Sequence, residues 1–349
     1  WTDVGFENYF MRYRDKSGSA PTGAAGSGPI VLMGYPGEDV YLRGTLANGM
    51  SGGCVSAING ENYPSAGKWA VVTNLRIDCE GYDGPISQEI YGDNWRVINN
   101  DLSASTAPTS GSSVPRMAGI TGNGANAVWL GNHIHDIQGS YDECHGIYID
   151  GDGSYEIAYN NIHDIRSGNG FQVYVNGGNG SNNASNVNFH HNLIHDVTCY
   201  SYGGWGLYTD EGSTGIVMEG NVTYNTTDGG FHQHYGKDNV VRNNILAFAE
   251  EAQVERSRQE AHRSFVFEKN IVLFDRGELL GGNWSGTPAN FLTKDNLYWD
   301  RSGRRVTFTD RKPSPTGVVI GPFSATPFRR TDSSVASGSG LPPCASIAS

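Results

Sequence analysis

The side chains best suited to chemistry fall between residues 148 and 258. Asp150, Asp210 and Glu211 are carboxylic acids in a stretch that also carries His232 and His234. Most of them belong to one recurring pattern of apolar, X, apolar or small, Asp or Asn. It reads IYGD (90–93), ITGN (120–123), IYID (147–150), VYVN (173–176) and LYTD (207–210), with QHYG (233–236) as its altered continuation. If these are the same strand in successive coils, side-chain alternation sends Ile147, Ile149, Val173, Val175 and Leu207 inward. The outward set is then Tyr91, Tyr148, Tyr174 and Tyr208, continued by His234. Beside it runs a column of Asp93, Asn123, Asp150, Asn176 and Asp210, which Gln172 and His232 extend.

Tyrosine faces edged by carboxylates and amides suit a sugar chain, whose rings are apolar on their faces and hydroxylated at their rims. The structural alternative is that the tyrosines stack for stability while Asp and Asn end each strand as turn formers. Glycoside hydrolysis needs one carboxylic acid to protonate the leaving oxygen and another to act as base or nucleophile. Asp150 and Asp210, two coils apart across Asn176, would lie ~9.6 Å apart at ~4.8 Å per coil, close to the roughly 6.5–9.5 Å of inverting enzymes. Asp152 and Glu211 would shorten that separation. No cofactor is then required.

A lyase would instead need a base to remove the proton α to a uronate carboxylate, and cations to stabilise the enolate. His232, His234 and Tyr208, with Lys237 and Arg256, are of the right types. Asp150 and Asp210 would then serve as calcium ligands. A noncatalytic coil that binds glycan along the same stripe is the third reading.

Two departures from the repeat mark the same region. GFHQHYGKDN (230–239) introduces two histidines and Lys237, and EEAQVERSRQEAHRSF (250–265) concentrates charge in a lightly charged chain. That second run reads as a solvated surface loop or short helix, from which Arg256 or Arg258 would touch substrate. The triplets at IHDI (134–137), IHDI (162–165) and IHDV (194–197) stack His135, His163 and His195 in register. A metal is conceivable there, but Asp capping a turn with His paired to it is the simpler account.

The elements that must position these groups follow from a second periodicity. An asparagine followed by apolar residues recurs at Asn74, Asn100, Asn132, Asn160, Asn192, Asn221, Asn243, Asn270 and Asn296. Short Val/Ile/Leu/Tyr runs alternate with Gly/Asn/Ser/Asp clusters, with almost no helical period. A buried asparagine at a turn can bond its counterparts in the coils on either side, so stacking satisfies an amide that would be costly alone. The reading is all-β, a right-handed parallel β-helix (solenoid) of about nine to ten coils. It makes one domain of 1–332, with recognisable coils over about 29–300 and an irregular tail at 333–349.

The run of NNxI coils resembles the right-handed parallel β-helix repeats of the pectate-lyase-like superfamily. That resemblance implies the fold and a carbohydrate-active role, within a superfamily spanning lyases, hydrolases, epimerases, tailspikes and noncatalytic surface proteins. The expectation is an enzyme cleaving an extracellular polysaccharide, hydrolase before lyase.

Composition narrows the classes. Forty-eight glycines and a net charge of −12, with 24 basic against 36 acidic residues and no basic block, argue against nucleic acid and weakly favour a neutral glycan. No apolar run is long enough to cross a bilayer. Five cysteines lack CxxC spacing; Cys54 and Cys79 lie one repeat apart and would pair in an oxidising compartment. Secretion is inferred from that pairing and from the polymer substrate. The chain opens on WTDVGFENYF, the form of a mature or truncated chain rather than a leader.

Overall fold

The computed structural model describes residues 11–12, 23–44, 54–56, 68–79, 84–88, 92–105, 118–138, 144–151, 153–174, 186–199, 203–285, 290–304 and 306. They form a right-handed parallel β-helix of three ten-stranded sheets, each strand pairing with its counterpart in the adjoining coil. Ten coils match the expected nine to ten. The proposed tail at 333–349 lies outside the described residues.

Each coil passes through a second sheet (as at Ala127–Leu130), a third sheet (His133–Gln138) and a groove sheet (His145–Asp150). The groove sheet stacks Ala118–Gly122, His145–Asp150, Phe171–Tyr174, Trp205–Thr209, Gly229–Gln233 and Ala252–Arg256. Alternation fills the lumen with Ile147, Phe171, Leu207 and Phe231 from this sheet. Trp129, Ile157, Phe189 and Ile134, Ile162, Ile194 enter from the other two, all 0% exposed.

The corners explain the Asn and Gly content. Between the second and third sheets Asn99, Gly131, Tyr159, His191, Gly220 and Asn243 all take positive φ, 53° to 66°. Asn and Gly reach this left-handed conformation at least cost. The aspartates of the IHD triplets, Asp136, Asp164 and Asp196, take left-handed φ of 50° to 53° inside the third-sheet strands, not at the turn expected of them. Each binds the preceding histidine, as in His163 Nδ1 to Asp164 Oδ2 at 2.7 Å, so the expected His–Asp pairing is present without the turn.

The buried ladder runs through Asn100, Asn132, Asn160, Asn192, Asn221, Asn244, Asn270 and Asn296. Each amide donates to the next Oδ1 along, which also receives that residue's own backbone N–H. Two assignments are corrected. Asn243 is the left-handed corner residue and Asn244 the ladder member, because both positions of an Asn-Asn pair tolerate their roles and the motif alone does not say which is buried. Asn74 is likewise a corner residue, and Leu75 fills the ladder position of its coil. Asn221, which opens an N-x-T triplet, is 0% exposed and so closed to glycosylation.

A glycine column closes the angle between the third and groove sheets. A Cβ at Gly119, Gly146 or Gly170 would lie 2.2 to 2.4 Å from Cγ2 of Ile134, Ile162 or Ile194. Cys54 and Cys79, in adjacent coils, are disulfide-bonded with Cα atoms 6.0 Å apart.

Candidate functional site

Two outward columns run along the groove sheet. The first contains Thr121, Tyr148, Gln172, Tyr208, His232 and Glu255, in lateral register. The second contains Tyr174, Asp210, His234 and Ser257, carried by continued ladder bonds such as Asp210 N to Val173 O at 2.9 Å, and the Asp150 backbone pairs with Tyr174 at its end.

This register corrects the sequence alignment. Ile147 lies beside Phe171, Leu207 and Phe231, so VYVN and QHYG are each displaced by two residues. A two-residue slip preserves the inward and outward alternation, which is why hydrophobic pattern alone does not detect it. Tyr174 therefore stands beside Asp150 and Asp210, and His232 rather than His234 stands beside Tyr208. Upstream, Ile86 pairs with Ile120, which leaves Asp93 at a corner, paired with Lys68 at 2.5 Å. Tyr91, Asp152, Val175 and Asn176 lie outside the described residues, and Asp150 enters through its backbone pairing alone.

The centre of the site is Asp210. Its Oδ2 accepts from the Gln172 amide at 2.9 Å, and its Oδ1 accepts from the Glu211 backbone N–H at 2.8 Å. Gln172 is aimed in turn by Asn169, whose Nδ2 donates to Gln172 Oε1 at 2.7 Å. Burial pushes the Asp210 carboxyl up to about 6; hydrogen bonds from Glu211 N–H, Tyr208 and Gln172 oppose the rise, and the Glu211 charge adds to it.

Rings enclose this carboxyl. Tyr208 stacks between Trp205 and His232 at centroid distances of 5.0 and 4.8 Å. Tyr208 is 1% exposed, so the expected open tyrosine stripe holds only for the half-buried Tyr148 and Tyr174. His232 Nε2 and His234 Nδ1 both contact Ser257 Oγ, at 3.0 and 2.6 Å, and His234 Nε2 is 3.9 Å from Asp210 Oδ1. Burial drives His232 well below the ordinary imidazole range, with His234 adding to the effect. It takes His234 down to about 4, helped by the Arg258 charge.

The cations are placed differently from expectation. Arg256 is 0% exposed inside the coil, in register with Gln233 and Thr209, its Nη1 donating to Ser285 O at 2.9 Å. It cannot touch substrate from the groove. The run AQVER is a strand, Ala252–Arg256, and not a loop or helix. Its inward Gln253 and Arg256 are polar, which erased the apolar alternation that would have revealed it. Arg258 is at the rim, 3.7 Å from Glu211 Oε1 and over the Tyr235 ring at 4.8 Å. Lys237 is exposed at the corner leading to the second sheet.

A carboxyl cluster escaped the sequence reading. Glu255 accepts from Trp205 Nε1 at 2.8 Å and is raised by burial and by Glu251, against the Trp205 hydrogen bond. Asp228, 7% exposed, is pushed up to about 8 by burial and by the charges of Glu251 and Glu255. These residues sit on three separate segments, and only coil stacking joins them.

No protein-family model matches the chain, and no curated protein matches it. Among solved structures it is similar to the tailspike protein of E. coli bacteriophage HK620 in complex with pentasaccharide. That match has 11% identity and a TM-score of 0.42, over 88% of this chain and 66% of that one. A mutant of the same tailspike, also with pentasaccharide, matches at 11% identity and a TM-score of 0.39, over 83% of this chain and 60% of that one. The chain thus spans less than two thirds of the tailspike chains it matches.

Proposed function

We propose that the groove binds a neutral glycan and hydrolyses a glycosidic bond, with Asp210 as general acid. The observation that carries this reading is the Asp210 carboxyl itself. It is raised to about 6, held by Gln172, and lies on the same outward face as Tyr148 and Tyr174. A carboxyl of that acidity keeps its proton at mildly acid pH and can deliver it to a leaving oxygen. The second carboxylate, which activates water, is assigned to Glu211, ion-paired with Arg258 and partly open to solvent. Asp150, two coils away at about 9.6 Å by strand spacing, is the alternative. The half-buried Tyr148 and Tyr174 supply apolar faces for sugar rings. A polymer substrate puts the site of action outside the cell, in keeping with the Cys54–Cys79 disulfide.

One observation favours β-elimination as a second reading: His234, kept neutral and oriented by Ser257, is a ready base. The cations a uronate would require are scarce, since Arg256 lies inside the coil and Arg258 is engaged by Glu211. No calcium step is needed for the hydrolase reading. Incubation with neutral and uronate polysaccharides, followed by reducing ends and ultraviolet absorbance, separates the possibilities. Saturated new ends are the expected result. Unsaturated products would replace hydrolysis with elimination, and binding without cleavage would leave a glycan-binding coil.

A further inference from the structure

On the third sheet, away from the groove, Asp101, His133 and His135 bring one ligand atom each within 4.8 Å of one another. With all three rings neutral, the hydrogen bonds around them fix the tautomers. His163 Nδ1 lies 2.7 Å from Asp164 Oδ2, so the neutral ring donates there and its Nε2 is an acceptor. His133 Nε2, 2.7 Å from that acceptor, must be the donor, which leaves His133 Nδ1 with a lone pair. His135 Nδ1 donates to Asp136 Oδ2 at 2.8 Å, which leaves its Nε2 with a lone pair. Both lone pairs point at the same carboxylate, His133 Nδ1 at 3.0 Å from Asp101 Oδ2 and His135 Nε2 at 3.2 Å from Asp101 Oδ1.

With neutral rings, three acceptors therefore converge with no donor among them, and either a metal cation or one further proton on a ring satisfies them. We infer that Asp101, His133 and His135 bind a zinc-class divalent metal ion. His133 Nδ1 and His135 Nε2 each lie near a different oxygen of the Asp101 carboxylate, at 3.0 and 3.2 Å, close to the ~3.3 Å ligand-to-ligand span set by bonds of ~2.0–2.1 Å. Two imidazoles and one carboxylate select zinc, nickel or copper over calcium and magnesium. Asp136 and His163 back the two ligating rings as carboxylate and imidazole partners of a metal site do, fixing tautomer and orientation. His133 and Asp101 are 42% and 38% exposed, so an ion has an open path and a fourth position for water. The site extends the IHD triplet. Among the described residues, only the coil in which the triplet meets both Asp101 and His133 has the complete set, while His163 and His195 stack onward without it.

The competitor is a proton, and calorimetry distinguishes the two. Chelator-treated protein is titrated with zinc chloride at pH 7.5 and, in parallel, with calcium chloride. Cobalt(II) absorption reports the ligand set. The expected result is one zinc equivalent, no saturable calcium binding, loss of zinc binding in H135N and D101N, and about 10- to 100-fold weaker binding in D136N. H190N/H191N, which removes a histidine pair at the end of the second-sheet strand Val187–His190 and its corner, should bind like the parent. Circular dichroism confirms that each variant is folded. Absence of saturable zinc binding by the folded parent overturns the inference, and so does binding that survives in H135N or disappears in H190N/H191N.

Discussion

The Gln172 amide donates to Asp210 Oδ2 at 2.9 Å across one coil boundary, joining two residues 38 positions apart in the chain. The bond lowers the carboxyl against a larger rise from burial, so it tunes the acid without creating it.

If Asp210 is the general acid, kcat/KM for glycan hydrolysis should fall as pH rises through about 6, because the proton to be delivered is lost there. Replacing Gln172 with leucine removes a bond that favours the charged form, so the alkaline limb should move to higher pH. A pH–rate profile with an unmoved limb would dissociate the two residues.

Asp210→Asn should lower kcat by roughly 10²–10⁴-fold while leaving the melting temperature and glycan affinity near the parent values. The amide keeps the side chain's shape and one acceptor oxygen, for Gln172 or for the Glu211 N–H, and loses the proton. Calorimetric melting and glycan titration, run beside the assay, separate lost chemistry from lost fold.

Asp228 gives a stability prediction of definite sign. Its folded pKa of about 8 lies above the ordinary 3.8, so the folded state holds a proton that the unfolded chain releases. The corresponding stabilisation is complete below about 3.8 and is lost as pH rises to about 8. Asp228→Asn should therefore melt like the parent at pH 4 and above it at pH 9. Equal melting at both pH values would contradict the buried acid.

Asn192 bonds Asn160 on one side and Asn221 on the other, and its amide also reaches Ile157 O at 3.0 Å. Asn192→Leu should destabilise by roughly 1–3 kcal/mol, since buried partners are left unpaired. Urea denaturation measures it.

Loss of the Cys54–Cys79 bridge, which closes a separation of 25 residues between adjacent coils, should cost about 2–4 kcal/mol. Comparing the double alanine variant with the parent by denaturant midpoint provides the check.

The sequence by itself determined the coil. The recurring asparagines, the period-2 runs and the Gly/Asn corners each express a constraint that every coil must meet separately, so repetition makes them visible. It also determined which face of the groove strands around residues 147–149, 171–174 and 207–209 points outward, because alternation survives a two-residue slip. Register did not follow. VYVN and FQVY satisfy the same inward pattern, and only pairing along the stack places Gln172 beside Tyr208 and Asp210 beside Tyr174. Arg256 shows the same limit from the other side. A charged residue read locally belongs to the surface, yet its alternation within Ala252–Arg256 turns it into the lumen beside Gln233. The acidity of Asp210 and Asp228, the Trp205–Glu255 bond and the meeting of Asp101 with His133 and His135 were decided by tertiary structure alone. Each depends on burial or on neighbours from other coils, and the distance between coils is a property of the stack, not of the chain.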